Sequence, residues 1–343
     1  MTQPTRRPPV EPGRLLDLID AFRGLRIAVF GDFLVDEFIY GEISRVSREA
    51  PVLILNYNST EIVPGGAGNA ANNVAALGGR PAAIGIAGRD EAGRRLLRAL
   101  KGRVDVAGIV RAAGHPTPTK TRILAGGVHS AKQQVVRIDR VSAATVSDAD
   151  KRTVESRLLN AVAHCDGLLV SDYGSGLVSP AVIAAARKQM IRGRRAPVLV
   201  DSRYALLRFR GMTACTPNES EVEQLFNVRI GENLRVLERA GRDLLEKTRA
   251  ETVLITRGGR GMALFERDCP TVHIPIHGSD QIADVTGAGD TVIATMTLAI
   301  AAGATSEEAA RLANYAGGLV VMKRGTATVT ADELRIAVLS DVG

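Results

Sequence analysis

The sequence predicts an α/β protein built on a mostly parallel sheet with helices on both faces. Short β-branched runs alternate with helix-like segments along most of the chain, the pattern of strand–helix–strand units. The polar residues of those runs, Asp32, Asp172, Asp201 and Thr256, fall at their carboxyl ends. Ligands of such sheets sit outside the carboxyl ends of strands. A third observation adds a smaller unit: two long segments read as strands without any helix and can pair into a separate small sheet.

The elements follow in order. MTQPTRRPPVEPG is rich in Pro and Arg and reads as a loose tail, so residues 1–25 are assigned to a tail and a leading helix. RIAVFGD (26–32) is a buried strand, with Asp32 and Asp36 at its end. Residues 38–66 read as strands and turns. GNAANNVAALGG (68–79) is a helix with a Gly stop, PAAIGIAG (81–88) a strand, and EAGRRLLRALK a helix. TKTRILAGGVHSAKQQVVRID (119–139) reads as a hairpin turning at Ala125-Gly126-Gly127. DGLLVSD (166–172) is a strand followed by the helix SPAVIAAARKQM. APVLVDS (196–202) and ETVLITRGG (251–259) are further strands, and TVIATMTLAIAAG is a helix near the C-terminus. Residues 26–343 are expected to form one domain, with insertions at about 38–64 and 117–139. A small sheet has an exposed face that needs a site to cover or another subunit to pair with.

Composition narrows the function. Apolar residues are 45% of 343, enough for a sizeable core, and charged residues are an ordinary 24%. Aromatics are 3% and Trp is absent, which argues against stacked-base recognition of single strands. The net charge is +7, but no run of five basic residues occurs. The Arg residues read as solvated faces, and no nucleic-acid partner is expected. Cys165, Cys215 and Cys269 form no CxxC pair or zinc spacing. Free thiols fit a reducing compartment, and the cytoplasm is expected. No secretory core and no apolar span of about 20 residues is present, so no membrane partner is expected.

The stretch DVTGAGD (284–290) carries the most chemistry. Its small residues open a helix, where backbone N–H groups and the helix dipole favour an anion. No GxxxxGK[ST] is present, and the Gly spacing does not fit a dinucleotide-binding turn. Phosphoryl transfer explains the terminal carboxylate. The reaction needs an anion hole for developing charge and a group that deprotonates the attacking hydroxyl. Helix capping is the competing reading of Asp290. Pro64-Gly65-Gly66-Ala67-Gly68-Asn69 can let a polyol lie against backbone, or simply make a tight turn. Asp32 and Asp36 suit sugar hydroxyls or turn capping. Asn218 and Glu221 lie i,i+3 at a helix start, where they can hold Mg²⁺ through water or form an N-cap pair. Thr256 and the glycines Gly258 and Gly261 can contact phosphates or make a glycine turn.

Together, and in this order, these stretches resemble the ribokinase-like, or PfkB-type, carbohydrate kinases from Arg26 to about Leu339. The two family signatures are GGAGNAANNVAALGG (65–79) and DVTGAGDTVIATMTLAIAAG (284–303). Within that family the chain is most similar to the kinase domain of the bacterial heptose-7-phosphate kinase/heptose-1-phosphate adenylyltransferases. GDFLVDEFIYGEISRVSREAPV, EIVPGGAGNAANNVAALGG, QQVVRID, DVTGAGDTV and KRGTATV carry that likeness. The resemblance implies a ribokinase-like three-layer α/β/α sandwich with a small β-sheet lid. It implies ATP and Mg²⁺ as cofactors, with K⁺ or another monovalent cation if this member has such a site.

Roles are implied in the same way. Asp290 is the base, and the N–H groups of Gly287, Ala288 and Gly289 are the anion hole. Asn218 and Glu221 organise Mg²⁺. Asp36, Gly65, Gly66 and Asn69 lie on the sugar side, with Asp32 and Asp172. Thr256, Gly258 and Gly261 meet the nucleotide phosphates, and Asn314 lies near adenine. Asp284 and Thr286, with the loop at Gly325, lie near the monovalent cation. Lys120, Arg122, Arg137 and Arg203 are candidates for holding a substrate phosphate. A homodimer through the lids is expected.

Three departures stand out. Ser175 in Asp172-Tyr173-Gly174-Ser175-Gly176 stands where the heptose kinases carry Lys. Arg203 stands where they carry Lys after Asp201. No HxGH nucleotidyltransferase motif occurs, so the expected product is a phosphosugar, heptose 1,7-bisphosphate if the acceptor is heptose 7-phosphate. A kinase for an unphosphorylated sugar or a nucleoside, and a silent sugar-binding or regulatory protein on this scaffold, are the alternative readings.

Overall fold

The strands expected from the β-branched runs pair into one sheet. The computed structural model describes residues 10–126, 132–141, 146–191, 196–278 and 284–341. The predicted turn residue Gly127, the RGRR run at 192–195 and most of the N-terminal tail lie outside them. In chain order the elements are α1 (Pro12–Ala21), β1 (Arg26–Val46), β2 (Leu53–Gly66), α2 (Ala67–Ala76), β3 (Arg80–Gly88), α3 (Glu91–Leu100), β4 (Asp105–Ala112), β5 (Thr119–Gly126) and β6 (Gln133–Arg140). Then come α4 (Asp148–Val162), β7 (Gly167–Asp172), α5 (Pro180–Ile191), β8 (Val198–Ser202), β9 (Ala214–Cys215), α6 (Glu219–Phe226), α7 (Leu234–Thr248), β10 (Thr252–Thr256), β11 (Met262–Glu266), β12 (Val272–Ile274), α8 (Ala288–Ala301), α9 (Ser306–Val321) and α10 (Ala331–Ser340).

The main sheet runs β12-β11-β10-β9-β8-β7-β1-β3-β4. From β10 to β4 every pair is parallel, and β11 and β12 close one edge antiparallel. The chain order reverses at β1, which places a ligand crevice at its carboxyl end.

Alternation along the strands divides the core in two. Ile27 and Val29 point to the layer of α1, α2, α3, α8, α9 and α10. Ala28 and Phe30 point to the layer of α4, α5, α6 and α7. Six of the seven Phe residues, Phe22, Phe30, Phe33, Phe38, Phe209 and Phe265, are fully buried. Each contributes about 1.5–3 kcal/mol by burial, and none is left as a stacking surface. Helix α8 is buried from Asp290 to Ala299, as expected of a helix apolar on all sides. Its Thr295 and Thr297 hydroxyls donate to the Thr291 and Ile293 carbonyls at 2.8 and 2.7 Å, so burial leaves them satisfied.

One strand boundary differs from the sequence reading. The strand expected to end near Asp32–Asp36 continues to Val46. Its parallel partners β7 and β3 stop at Gly31 and Asp32, but β2 pairs from Phe33 and β5 from Val35. The backbone therefore never lacks a partner, and nothing ends the strand. The extension of β1, with β2, β5 and β6, forms the small sheet expected from the two strand-rich segments.

Register fixes what the lid presents. Val63, Asp36, Lys120 and Asp139 form one cross-strand row, and Glu61, Phe38, Arg122 and Arg137 the next in the same facing. The opposite face carries Ile62, Glu37, Thr121 and Ile138, then Thr60, Ile39, Ile123 and Val136. One face is charged and the other largely apolar. Among the described residues no helix is long and apolar enough to cross a membrane.

Candidate active site

The carboxyl ends of β7, β8, β9 and β10 and the start of α8 border a cleft of about 800 Å³. Asp172, Arg203, Asn218, Glu221, Thr256, Gly258, Gly261, Gly287, Ala288, Gly289, Asp290 and Asn314 all line it, and Arg137 reaches it from the lid. Residues spread over more than a hundred positions thus meet at one site.

Asp290 lies in the first turn of α8 and is buried. Asn69 Nδ2 donates to its Oδ2 at 2.9 Å, and the Tyr173 hydroxyl donates to its Oδ1 at 3.2 Å. The Asn69 amide also donates to the Gly287 carbonyl at 3.3 Å. Asn73 Nδ2 in turn donates to Asn69 Oδ1 at 3.2 Å. Asn69, expected on the sugar side from the resemblance, holds the Asp290 carboxylate. Burial pushes the Asp290 carboxyl up to about 7, against the Asn69 hydrogen bond and with repulsion from Asp36. A group with that value is matched to accept a proton near neutrality.

Gly287 caps α8 at φ 79°. A Cβ there would sit on the Asn69 amide nitrogen, so glycine answers both the left-handed backbone and the close approach. The Ala288 N–H makes a 3.3 Å turn bond to the Val285 carbonyl. A helix's first N–H groups lack intrahelical acceptors, so Gly289 and Asp290 keep theirs open at the cleft, while that of Ala288 is spent on the turn. Dipole and N–H groups favour an anion beside the carboxylate.

Where the lid meets the main sheet, Asp36 is buried and ion-paired with Arg122. Thr326 Oγ1 lies 3.4 Å from it. A Cβ on Gly65 would overlap the Asp36 carboxylate, which explains the first glycine of the pair. Gly66 caps α2 at φ 56°. Lys120 Nζ lies 4.5 Å over the Tyr173 ring. Its amine is pushed down by burial, partly offset by Asp36, and further lowered by Arg203 and Arg122. Three cations are therefore close enough to feel one another. Arg137 pairs with Asp139 at 2.9 Å at the lid rim.

Asp32 and Asp172 both bind the loop that follows β7, and Asp172 also lines the cleft. Asp32 accepts the Tyr173 and Ser175 N–H groups at 2.8 and 3.2 Å and the Ser175 hydroxyl. Asp172 accepts the Gly174 N–H at 3.0 Å and the Ser202 hydroxyl at 2.6 Å. Both carboxylates tie a loop down.

At the start of α6, Asn218 and Glu221 form a complete capping box. Asn218 Oδ1 accepts the Glu221 N–H at 2.9 Å, and Glu221 Oε2 accepts the Asn218 N–H at 3.0 Å. The N-cap reading of this pair is correct, and both residues still line the cleft. Gly258 and Gly261 take φ 55° and 73°. Just before them the loop is anchored by Arg257, whose buried guanidinium donates to Glu219 and to the Gly231 carbonyl, both at 2.7 Å. Asn314 donates to the Pro275 carbonyl at 2.9 Å, bracing the far wall. Asp284 accepts the Thr286 N–H at 2.9 Å and the Gly325 N–H at 3.2 Å, joining the cradle to the loop at Gly325.

A profile of the pfkB family of carbohydrate kinases matches residues 26–333. The chain belongs to this family. As a pfkB kinase it is an ATP-dependent phosphotransferase acting on a carbohydrate. Among curated relatives it is 41% identical over 314 residues to the bifunctional protein HldE of Geobacter sulfurreducens, covering 89% of this chain and 61% of that protein. The chain thus spans less than two thirds of that relative. Its fold is that of Arabidopsis thaliana ribokinase complexed with ribose and ATP (TM-score 0.68, 21% identity, 93% of this chain and 98% of the other). It is likewise that of Escherichia coli phosphofructokinase-2 in complex with potassium (TM-score 0.72, 21% identity, 94% and 100%).

The residues of this pfkB kinase fit a hydrated divalent cation. No group of three or more His, Cys, Asp or Glu that could hold a metal occurs among the described residues. Asp201 and Glu221 nonetheless supply the hard oxygen donors that Mg²⁺ takes alongside water and phosphate. Burial raises both carboxyls, and Asp201 is pushed well up, next by repulsion from Glu221, Asp290 and Asp172. A cation there relieves that repulsion. Asp201 and Tyr173 were not assigned roles from sequence, although both stand at the carboxyl ends of strands.

Proposed function

We propose that this pfkB kinase transfers the γ-phosphoryl group of ATP to a hydroxyl of a phosphosugar of the heptose 7-phosphate class. The observation that carries the acceptor class is the lid row. Lys120 and Arg122 stand on the charged face of the lid; Lys120 acts on Asp290, and Arg122 and Arg203 lie near enough to act on Lys120. Three neighbouring cations, one of them beside the buried base, suit an acceptor that already bears a phosphate. The resemblance to heptose kinases and the identity to HldE support the same class.

The chemistry follows from the positions. Asp36 and the backbone at Gly65 and Gly66 orient the sugar. Asp290 accepts the proton of the attacking hydroxyl as its oxygen bonds to the γ-phosphorus, and the bond to the departing ADP oxygen breaks. The α8 N-terminus takes the charge on the transferred group. Thr256, Gly258 and Gly261 hold the nucleotide phosphates and Asn314 the adenine end. Mg²⁺, held by Asn218, Glu221 and Asp201, supplies neutralisation of phosphate charge when bound. Asp284, Thr286 and the loop at Gly325 are the monovalent-cation side of the site. Residues 26–343 form the kinase domain, with lid segments at about 38–64 and 117–139. Three free thiols suit the cytoplasm.

A second reading has its own observation. Ser175 takes the place of a lysine and spends its hydroxyl on Asp32, and Asp36 neutralises Arg122, which favours an unphosphorylated sugar. ADP release from Mg-ATP against paired sugars and sugar phosphates decides between them. Turnover with heptose 7-phosphate and not with the free sugar is expected. Turnover with free sugars alone establishes the second reading, and none with any sugar removes both.

The lid is also where a second copy is expected to dock. Ile138 and Val136 are 44% and 45% exposed on the apolar face, beside Ile39, Ile62 and Ile123. A homodimeric mass is expected in solution, with Val136→Glu and Ile138→Glu giving monomers. A monomeric wild type would exclude this contact.

A further inference from the structure

Two buried acids are spent on three residues of one loop. Asp32 stands where β1 leaves the main sheet and binds both N–H and hydroxyl of Ser175 and the Tyr173 N–H. Asp172 binds the Gly174 N–H and Ser202. Gly174 and Gly176 take φ 87° and 82°, which turns the loop sharply. Burying carboxylates costs stability unless hydrogen bonds compensate. The loop must therefore place something that matters. Gly174 and Gly176 are exposed, whereas Tyr173 points inward. Its ring packs between Lys120 Nζ and Gly66, where a Cβ would come within 3.3 Å of the ring, and its hydroxyl reaches Asp290 Oδ1.

We infer that Tyr173 is a positioning residue for the catalytic base, and that the Asp32–Ser175 clasp is what holds Tyr173 in place. The inference rests on the reading of Asp290 as base. Asn69 holds Oδ2 and Tyr173 holds Oδ1, so the carboxylate plane is fixed from two sides. Each oxygen keeps a lone pair for the acceptor hydroxyl. A hydrogen bond from the phenol favours the charged carboxylate. It opposes the burial and the Asp36 repulsion that push the group up. The groups facing Asp290 are Asn69 from α2, Asp36 from β1, Lys120 from β5 and Tyr173 after β7. Asp201 from β8 stands beyond. Lys120 lies 4.5 Å over the ring and braces its face. Ser175, the departure noted in the sequence, thus acts on the base through a residue two positions away.

The test is the pH profile of kcat/KM for the phosphorylated sugar in Tyr173→Phe, from about pH 5.5 to about 9.5. The midpoint of the acid limb is expected to move up by about one pH unit. Turnover at neutral pH falls about five- to tenfold and recovers above about pH 9, with KM for Mg-ATP unchanged. Ser175→Ala, which loosens the clasp and keeps the phenol, is expected to shift the midpoint less and in the same direction. An unshifted midpoint in Tyr173→Phe overturns the inference, whatever happens to rate or melting temperature. If that variant does not fold, an unshifted Ser175→Ala overturns it. Wild-type turnover by Asp290→Asn would instead remove the base reading itself. An inactive Asp290→Asn beside an unshifted Tyr173→Phe removes the brace alone.

Discussion

Replacing Asp290 by Asn is expected to cut turnover by about 10²–10⁴-fold, the range general base catalysis supplies. Nucleotide affinity should stay within about threefold, because the α8 N-terminus and the loop at Thr256–Gly261 are untouched. The same substitution has an opposite effect on stability. The Asp290 carboxyl is pushed up to about 7 by burial, so the folded protein binds this proton more tightly than the unfolded chain does. Stability contributed by this group is present at low pH and is lost as pH rises through about 7. Above that pH, Asp290→Asn should melt later than the wild type by calorimetry. Lower activity with raised stability is the signature of a residue kept for chemistry; a variant that loses both equally would point to a structural acid.

The second large effect concerns the acceptor. Arg203→Met should raise KM for a phosphorylated sugar about 10- to 100-fold, the loss expected when a charge-assisted hydrogen bond goes. Values for the unphosphorylated sugar should change by about threefold at most. Initial-rate kinetics on the pair read this directly. Arg203 is the cleaner site for the test because Lys120 also acts on Asp290, so Lys120→Met mixes substrate binding with the state of the base. Equal effects on both sugars would mean that Arg203 serves the nucleotide or the acidic cluster at Asp201 and Glu221 instead.

The fold was legible where the pattern is local. Alternating runs such as RIAVFGD and DGLLVSD mark central strands, and a small-residue cradle before an apolar run marks the start of α8. The cradle with its carboxylate was legible for the same reason: its chemistry lies in seven consecutive residues. The continuation of β1 to Val46 was not legible, because no Gly or Pro signal reports that β2 and β5 take over the pairing. Long-range partners were hidden in the same way. Asp32, at a strand end, suited sugar hydroxyls or turn capping, and its partner Ser175, 143 residues on, was not visible. Asn69 was placed on the sugar side by its motif, and its partner Asp290, 221 residues on, was not visible there. Asn218 and Glu221 show a different limit. The i,i+3 spacing fits a capping box and a shared face equally well, and the structure forms the box while leaving both residues at the cleft. Tyr173 was visible in the DYGSG stretch, but the eye goes to the missing lysine; only the folded loop shows the phenol on the base.

The measurement that bears most directly on the account is the pH dependence of kcat/KM for the wild type with saturating Mg-ATP. A buried Asp290 acting as base predicts an acid limb falling about tenfold per pH unit, with its midpoint near the value of about 7 to which burial pushes that carboxyl. A profile that stays flat from about pH 5.5 to about 8 would mean that no group of this kind takes the proton, and the role given to Asp290 would be wrong.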